Sequence, residues 1–292
     1  MADLRYPHLD AFSKSIGIPS ENLINAFEIE RIFHEQILEE RSFEKRQRMY
    51  EDVYNKVHPI YGKNKTDIIS GRNPKDYIVR LFSKELRDKS ILEVGCGEGH
   101  FLESIARNLP HNKLVGIDVS MPHLLQHHPD IEFILGNIIY FNQNCQFDVV
   151  FSDQVLEHIA PADLPMHLAS VRSSIKPGGI FIVNTPNRLF GPWDVTRIID
   201  FTNTGRIESQ GTHLNESTYT ELIPILEYNG FTNFKTVCFI PKLKNLLKNY
   251  RFSPSFLQTI ERSPIILKLL HKIKLRGRCL AQFGVTLICT KS

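Results

Sequence analysis

The sequence predicts an α/β fold in which helices cover a doubly wound, mostly parallel sheet of seven strands. Short apolar runs alternate with helical segments from about residue 76 onward, and several of these runs are apolar at consecutive positions. Such strands are buried on both faces, as they are in parallel sheets between helical layers. The predicted strands are 91–94, 114–117, 131–135, 149–152, 180–184, 234–240 and 285–290.

Helices are predicted between these strands. Residues 101–109 and 164–175 carry apolar side chains at helical spacing. Thr218 and Glu221 have the spacing of a capping box, so we expect a late helix to begin there and to end at Gly230. The last strand is expected to run antiparallel to the rest of the sheet.

The chain divides into two predicted parts. Residues 1–75 are interpreted as a helical extension, because apolar side chains recur at helical spacing over 20–57 and charges fill the other positions. Residues 76–292 form the α/β domain, with a long loop at 185–215 and a basic insert at 241–283. The extension could brace the core or serve as a lid over a site, and the sequence leaves both open.

Composition excludes several classes of protein. The formal net charge of +3 gives no global field for nucleic acid. The five cysteines include no CxxC pair, and the chain shows neither an apolar leader nor an apolar run of about 18–20 residues. We therefore expect a cytoplasmic protein.

The insert at 241–283 is predicted to be helical, and it is unusually basic. Residues 241–280 hold ten Lys and Arg against one acid, Glu261, so the local charge is +9. Three interpretations remain open: a peripheral membrane or lipid contact, a site for a phosphate-bearing acceptor, and a solvated helical hairpin that braces the last strands. Nucleic acid is not favoured, because no RNA-binding motif appears. The oligomeric state is not predicted.

A glycine-rich turn, residues 91–101 (ILEVGCGEGHF), carries the strongest functional signal. Gly95, Gly97 and Gly99 follow a buried strand and precede a helix, which lets a ligand approach bare backbone and a helix N-terminus. The spacing is GxGxG, whereas dinucleotide-binding turns have GxGxxG. Glu93, two residues before the first glycine, suits a cationic ligand better than a pyrophosphate. Asp118 ends the next strand, where an acid can accept from ribose hydroxyls.

These motifs resemble the class I S-adenosylmethionine (SAM)-dependent methyltransferases, particularly their small-molecule members. The matching stretches are LEVGCGEGHF (92–101), GIDVS (116–120), FDVVFSDQVLEHI (147–159), IKPGGIFIVNTPN (175–187) and 213–231. The resemblance covers about residues 76–240 and the last strand, and it implies a Rossmann-like fold. It implies SAM as cofactor and S-adenosyl-L-homocysteine as product, and it says little about the acceptor.

The resemblance also implies a set of cofactor contacts. The amino-acid end of SAM would lie against Glu93, Gly95, Cys96, Gly97 and Gly99, its ribose against Asp118, its adenine beside Val119, Asn137 and Ile138, and its sulfonium above Asp153, Gln154 and Val155. Asn137 stands where the family often has Asp, and an Asn carbonyl can still accept a hydrogen bond from the adenine amine.

Candidate catalytic residues follow the fourth strand and the long loop. His158 is either a general base or a residue that shapes the site, and His213 is either a base or a surface residue of the late helix. Asp153 could act directly, orient a histidine or contact the cofactor. No spacing of Asp153 with Asn184 or Asn187 requires a metal, so none is expected.

The loop at 185–215 is predicted to line the acceptor, because loops at this edge of the sheet face ligands. Its candidate substrate-binding residues are Asn187, Arg188, Phe190, Trp193 and His213, although Phe190 and Trp193 could instead anchor the loop. We expect a SAM-dependent methyltransferase for a small-molecule acceptor (a specialised metabolite, a lipid-like molecule or a glycan precursor), with oxygen favoured. The alternatives are a nicotinamide-dependent oxidoreductase and a non-catalytic SAM-binding protein.

Overall fold

The computed structural model describes residues 4–61, 73–119, 128–244 and 246–292. Within these ranges the strands are β1 (Ser90–Val94), β2 (Lys113–Asp118), β3 (Ile131–Leu135), β4 (Phe147–Asp153), β5 (Ile175–Thr185), β6 (Phe231–Lys235), β7 (Lys274–Leu275), β8 (Arg278–Cys279) and β9 (Val285–Lys291). The helices are α1 (Leu9–Ile16), α2 (Ser20–Glu39), α3 (Phe43–Tyr61), α4 (Asp76–Leu81), α5 (Ser83–Leu86), α6 (His100–Asn108), α7 (Leu164–Ser174), α8 (Tyr219–Tyr228), α9 (Pro241–Lys244), α10 (Ser255–Arg262) and α11 (Pro264–Lys272).

The main sheet confirms the predicted fold class. Its strand order is β3–β2–β1–β4–β5–β9–β6, with seven strands in the described chain. The first five strands in this order are parallel to one another, and β9 is antiparallel to both β5 and β6. The order reverses at β1 and β4, so the turns after these strands open into the same crevice.

Strand β6 differs from its predicted position. The sequence predicts a strand over 234–240, whereas β6 ends at Lys235. The backbone of Thr236 instead exchanges hydrogen bonds of 2.8 and 2.9 Å with Phe252, so the chain leaves the sheet to pair with the insert. Val237 and Cys238 are buried there without belonging to the sheet.

Helices α1–α3 form the predicted N-terminal extension, and α3 continues through Pro59 to Tyr61. Their apolar side chains pack on the loop after β5, with Val195, Ile198 and Phe201, and on Ala160 and Leu214 near the end of the domain's sheet. Arg46 of α3 forms a buried ion pair with Asp163 before α7. The extension is therefore fixed against the α/β domain.

The late helix α8 begins as the capping box predicts. Thr218 accepts from the Glu221 backbone N–H, and the Glu221 carboxylate accepts from the Thr218 backbone N–H. The basic insert, predicted to be helical, contains α9–α11 and also the β7–β8 hairpin. Among the described residues, no helix combines the length and apolar character needed to cross a membrane.

Candidate active site

The glycine turn lies between the end of β1 and α6. Gly95 has φ +73°, and a Cβ there would lie 2.4 Å from Cγ2 of Val155. Gly95 is therefore required for close packing against the turn after β4. Gly97 has φ +49° and open space where its Cβ would lie, and Gly99 has φ +75° at the N-cap of α6. A ligand can consequently lie against the backbone at Gly97.

Two carboxyl groups border this turn. Glu93 is buried, and its Oε2 has no hydrogen-bond partner among the described residues. Burial raises the pKa of Glu93 well above its usual range, and the charge of Lys75 opposes that shift. Asp118 ends β2 and accepts from the Gly97 backbone N–H at 2.8 Å. A buried oxygen without a partner is costly, so the Glu93 carboxyl fits a ligand that brings a positive charge.

The side chains of the remaining predicted cofactor residues vary in exposure. Val119 is 51% exposed beside Asp118, as an apolar contact for a planar ring would be. Cys96 is buried and points beneath the turn, because a Cβ on Gly116 would meet its sulfur at 2.8 Å. Any contact of Cys96 with a ligand would therefore come from its backbone. Gln154 has φ +60°, which marks a tight turn after β4.

Asp153 is held by two neighbours. Its Oδ2 is 2.7 Å from Nζ of Lys75, and its Oδ1 accepts from Nδ2 of Asn184 at 2.6 Å. Sequence reasoning missed Lys75, because it lies 78 residues from its partner and belongs to no motif. The ion pair with Lys75 orients the Asp153 carboxylate at the edge of the crevice and balances its negative charge.

Asn137 follows β3 and has its side chain fully engaged. Its Oδ1 accepts from the backbone N–H groups of Ile139 and Tyr140 at 2.7 and 3.0 Å, and its Nδ2 donates to Oε1 of Gln47 at 2.7 Å. The predicted hydrogen bond to an adenine amine would have to share that oxygen. Ile138 lies next to it and is partly buried. Through Gln47, the N-terminal extension reaches the cofactor end of the crevice.

His158 and His213, far apart in sequence, lie together beyond the turn after β4. Their ring centroids are 4.6 Å apart and their planes are nearly perpendicular. Nδ1 of His158 is 3.2 Å from the Thr212 carbonyl oxygen, and Nδ1 of His213 is 2.6 Å from Oε1 of Glu216. Both Nδ1 atoms therefore carry a hydrogen and donate it. The ring of Tyr54 from α3 closes one side, 6.1 Å from that of His158.

The two histidines hold their protons differently. Burial, together with the nearby charge of His213, lowers the pKa of His158 to about 3. Burial also disfavours charge on His213, but its hydrogen bond to Glu216 and the surrounding carboxyl groups raise its pKa to about 9. At neutral pH His213 is therefore the positively charged ring, and His158 is neutral with a lone pair on Nε2.

The segment that carries His213 is held by the N-terminal extension. Glu30 of α2 is buried and accepts from the Thr212 backbone N–H at 3.0 Å. His34 contacts the Gly211 carbonyl oxygen at 2.9 Å, and Asp194 accepts from the Gly211 N–H at 2.8 Å. Burial raises the pKa of Glu30 to about 7. The extension thus positions the predicted catalytic residue, a role that its helical periodicity did not reveal.

The other predicted substrate-binding residues have partners within the protein. Phe190 is fully buried against Phe283. The Trp193 indole donates to the Asn187 carbonyl oxygen at 2.9 Å. Asn187 is buried and donates to Glu261, and Arg188 forms an ion pair with Glu221. These contacts anchor the loop. The Trp193 backbone N–H donates at 2.9 Å to Oε1 of Glu216, the same oxygen that accepts from His213.

Comparison with known sequences identifies a family. The profile of the family described as "Methyltransferase domain" matches residues 63–236, more than half of the chain. This range contains the glycine turn, Asp118, the turn after β4 and both histidines.

Individual relatives share parts of this region. The chain is 30% identical over 148 residues to a probable S-adenosylmethionine-dependent methyltransferase of Mycolicibacterium smegmatis, covering 49% of this chain and 52% of that protein. It is also 30% identical over 163 residues to the mitochondrial ubiquinone biosynthesis O-methyltransferase of Rattus norvegicus, covering 51% of this chain and 46% of that protein. The chain thus spans about half the length of these curated relatives.

A solved structure shares the fold. The SAM complex of Haemonchus contortus phosphoethanolamine N-methyltransferase 2 superposes with a TM-score of 0.52 at 16% identity, covering 77% of this chain and 55% of that one. At this identity the likeness concerns the fold alone.

Proposed function

We propose that this chain, which belongs to the methyltransferase-domain family and is a SAM-dependent methyltransferase, transfers its methyl group to an oxygen of a small-molecule acceptor. The observation that carries the proposal is the pair His158–His213, which lies beyond the cofactor turn with an available Nε2 lone pair on His158. The acceptor classes we favour are a specialised metabolite, a lipid-like molecule or a glycan precursor.

The cofactor end fits SAM in its charge and its shape. The buried Glu93 carboxyl suits the cationic amino-acid end, the open backbone at Gly97 admits the ligand, and Asp118 has the place of a ribose acceptor. When bound, SAM supplies a methyl carbon activated by a sulfonium. We assign Gly95, Cys96, Gly99, Val119, Asn137, Ile138, Asp153, Gln154 and Val155 to the same pocket.

Histidine chemistry supports an oxygen acceptor. A hydroxyl must lose its proton as the new carbon–oxygen bond forms and the carbon–sulfur bond breaks. Nε2 of His158 can take that proton, because Nδ1 is held in its protonated form by the Thr212 carbonyl. His213 is held by its hydrogen bond to Glu216, packs against the His158 ring and carries the positive charge of the pair. Lys75 and Asn184 hold the Asp153 carboxylate, and this positions the turn after β4 that leads to His158.

The relatives favour the same class of reaction. The rat protein is by its name an O-methyltransferase of ubiquinone biosynthesis. In our proposal, loop 185–215 lines the acceptor site. Arg188 is partly exposed, and Cζ of Arg197 lies over the Trp193 ring, 4.4 Å from the ring centroid. Because Asn187 and Phe190 are buried, we expect them to shape this loop from beneath.

A screen of hydroxylated small molecules with methyl-labelled SAM tests the proposal. We expect label in an ether or ester product together with S-adenosyl-L-homocysteine. Label on nitrogen or carbon would contradict oxygen transfer. SAM binding without turnover on any class of acceptor would favour the non-catalytic alternative. Tight binding of a nicotinamide dinucleotide with no response to SAM would favour the oxidoreductase.

We further infer that α11 and the β7–β8 hairpin contact an anionic lipid surface. Their basic apolar patch consists of Ile265, Lys268, Leu269, Lys272, Leu275 and Arg276, all exposed. The exposed fractions of Ile265, Leu269 and Leu275 are 74%, 58% and 60%. Residues 262–278 include six Lys and Arg and no acid, so the patch complements anionic headgroups.

Co-sedimentation with vesicles tests this contact. We expect binding to phosphatidylcholine vesicles that contain phosphatidylglycerol, and a loss of that binding at high salt or in Leu269→Glu. Tyr228→Glu, on an exposed position of α8, is the matched control and should bind as the unaltered protein does. Equal sedimentation with and without anionic lipid would show that the patch does not bind anionic membranes.

A further inference from the structure

Glu157, His158 and His213 form a compact cluster of metal-binding groups. Each offers one ligand-type atom, and the three atoms lie within 4.8 Å of one another. A point equidistant from atoms at that spacing lies at most about 2.8 Å from each, and zinc bonds to nitrogen or oxygen are about 2.0–2.2 Å long. An inward shift of less than about 1 Å for each side chain would bring all three into bonding range.

Nδ1 of each ring already has a hydrogen-bond acceptor within the protein. His158 donates from Nδ1 to the Thr212 carbonyl oxygen, and His213 donates from Nδ1 to Glu216. Metal-binding histidines almost always donate their other ring N–H to a carbonyl or carboxylate in this way. In the neutral form of each ring, Nε2 is then the nitrogen with a lone pair, and binding of the ion would displace the additional proton that His213 holds at neutral pH.

Glu157 supplies a second, independent indication. Its side chain is fully buried, and Oε2 accepts from the Thr185 hydroxyl at 3.0 Å. Oε1 has no hydrogen-bond partner within the described ranges. An unpartnered oxygen of a buried carboxylate is costly, and a bound cation would satisfy it.

The surroundings of the cluster are rich in carboxyl groups. Glu30 and Asp194 are buried, and the side chain of Glu216 is 5% exposed. The three carboxyl groups accept from consecutive residues of the segment 211–213. Such surroundings disfavour an anion and stabilise a cation. Two imidazoles and one carboxylate are ligands typical of zinc, iron and manganese rather than of calcium.

We propose that Glu157, His158 and His213 bind one divalent transition-metal cation, which holds the oxygen of the acceptor. The role of the ion rests on the proposed function, whereas its binding can be measured without turnover. With the ion bound, Nε2 of His158 would be a ligand, and the ion would replace it as the group that activates the acceptor. The ion would lower the pKa of the hydroxyl that it holds, and the released proton would pass to solvent. The sequence led us to expect no metal, because 55 residues separate the two histidines and no motif joins them.

Calorimetry on untagged, metal-free protein tests the site, with Zn²⁺ and Mn²⁺ titrated in the absence of SAM. We expect one ion per chain for at least one of the two metals. Glu157→Gln, His158→Ala and His213→Ala should each abolish that binding, and Glu216→Gln should weaken it about 10- to 100-fold. His111→Ala, a histidine outside the cluster, is the matched control and should bind unchanged.

Each result either supports or overturns the site. Absence of one-to-one binding for both metals, or equal affinity in the control and in all three ligand variants, would overturn it. Glu157→Gln nearly preserves the side-chain volume, so it remains informative if the alanine variants fail to fold. If the ion binds but turnover survives its complete removal, the ion does not hold the acceptor. SAM calorimetry on the same samples tests the proposed function separately.

Discussion

The glycine turn is bordered by polar groups from two neighbouring strands, Glu93 of β1 and Asp118 of β2. The histidine pair, in contrast, is held by residues as far apart in the sequence as Glu30 and Glu216. In the first region the decisive contacts are local, such as Gly97 to Asp118 across 21 residues. In the second, Glu30 and Thr212 are 182 residues apart. The proposed cofactor site is therefore a compact motif, whereas the proposed acceptor site depends on long-range packing between the N-terminal extension and the α/β domain.

The largest expected effect concerns the buried ion pair that links the N-terminal extension to the α/β domain. Arg46→Ala should lower the free energy of unfolding by about 3–5 kcal/mol, because it leaves the buried Asp163 carboxylate without its partner. Chemical denaturation measures this loss. Arg31→Ala, which breaks exposed pairs with Glu28 and Glu35, is the control and should leave the free energy of unfolding nearly unchanged. A similar small cost for both would mean that the extension is not anchored through Arg46.

The glycine turn should tolerate substitution poorly. Gly95→Ala should lower the free energy of unfolding by about 2–4 kcal/mol, from a left-handed φ and the overlap with Val155. Gly178 has a similar φ of +75° but open space where a Cβ would lie, so Gly178→Ala isolates the backbone cost of about 1–2 kcal/mol. Thermal or chemical unfolding compares the two variants. Equal losses would show that the contact with Val155 does not constrain the turn.

At the acceptor end, turnover and cofactor binding should separate. His158→Ala is expected to lower kcat about 100-fold or more while the Kd for SAM stays within about twofold, because the ring lies beyond the cofactor turn. Steady-state kinetics with an identified acceptor and calorimetry with SAM provide the two numbers. Unchanged kcat in both His158→Ala and His213→Ala would remove the pair from the reaction.

At the cofactor end, Asp118→Ala should raise the Kd for SAM about tenfold or more, the size expected for a lost hydrogen bond to a charged group. Asp130→Ala, just before β3 on the surface, should leave that Kd unchanged. Calorimetric titration compares the two. An unchanged Kd in Asp118→Ala would mean that the carboxylate serves the turn, through Gly97, and not the ribose.

The same contrast explains what could be predicted from sequence. The mostly parallel sheet, the turn at Gly95–Gly99 and the capping box at Thr218 depend on neighbours within a few residues or on apolar periodicity, and all were predicted. The contacts of Lys75 with Asp153, Gln47 with Asn137 and Glu30 with Thr212 bridge 78, 90 and 182 residues. They arise only when the extension packs on the domain, and no periodicity signals them.

The sequence left the direction of side chains in the loop open. Phe190 and Trp193 were expected either to line the acceptor or to anchor the loop, and in the structure Phe190 packs inward and Trp193 donates to its own loop. Their role toward an acceptor stays a prediction. The local pattern of a loop defines its position at the sheet edge, and tertiary packing decides which side chains face the crevice.

The separation of the two regions is tested most directly by SAM titrations of the unaltered protein, Asp118→Ala and the double variant His158→Ala/His213→Ala in one calorimetric series. We expect micromolar one-to-one binding for the unaltered protein, nearly the same affinity for the double variant, and about tenfold or weaker binding for Asp118→Ala. Loss of SAM binding in the double variant, with full affinity retained in Asp118→Ala, would contradict a cofactor site built at the glycine turn and Asp118.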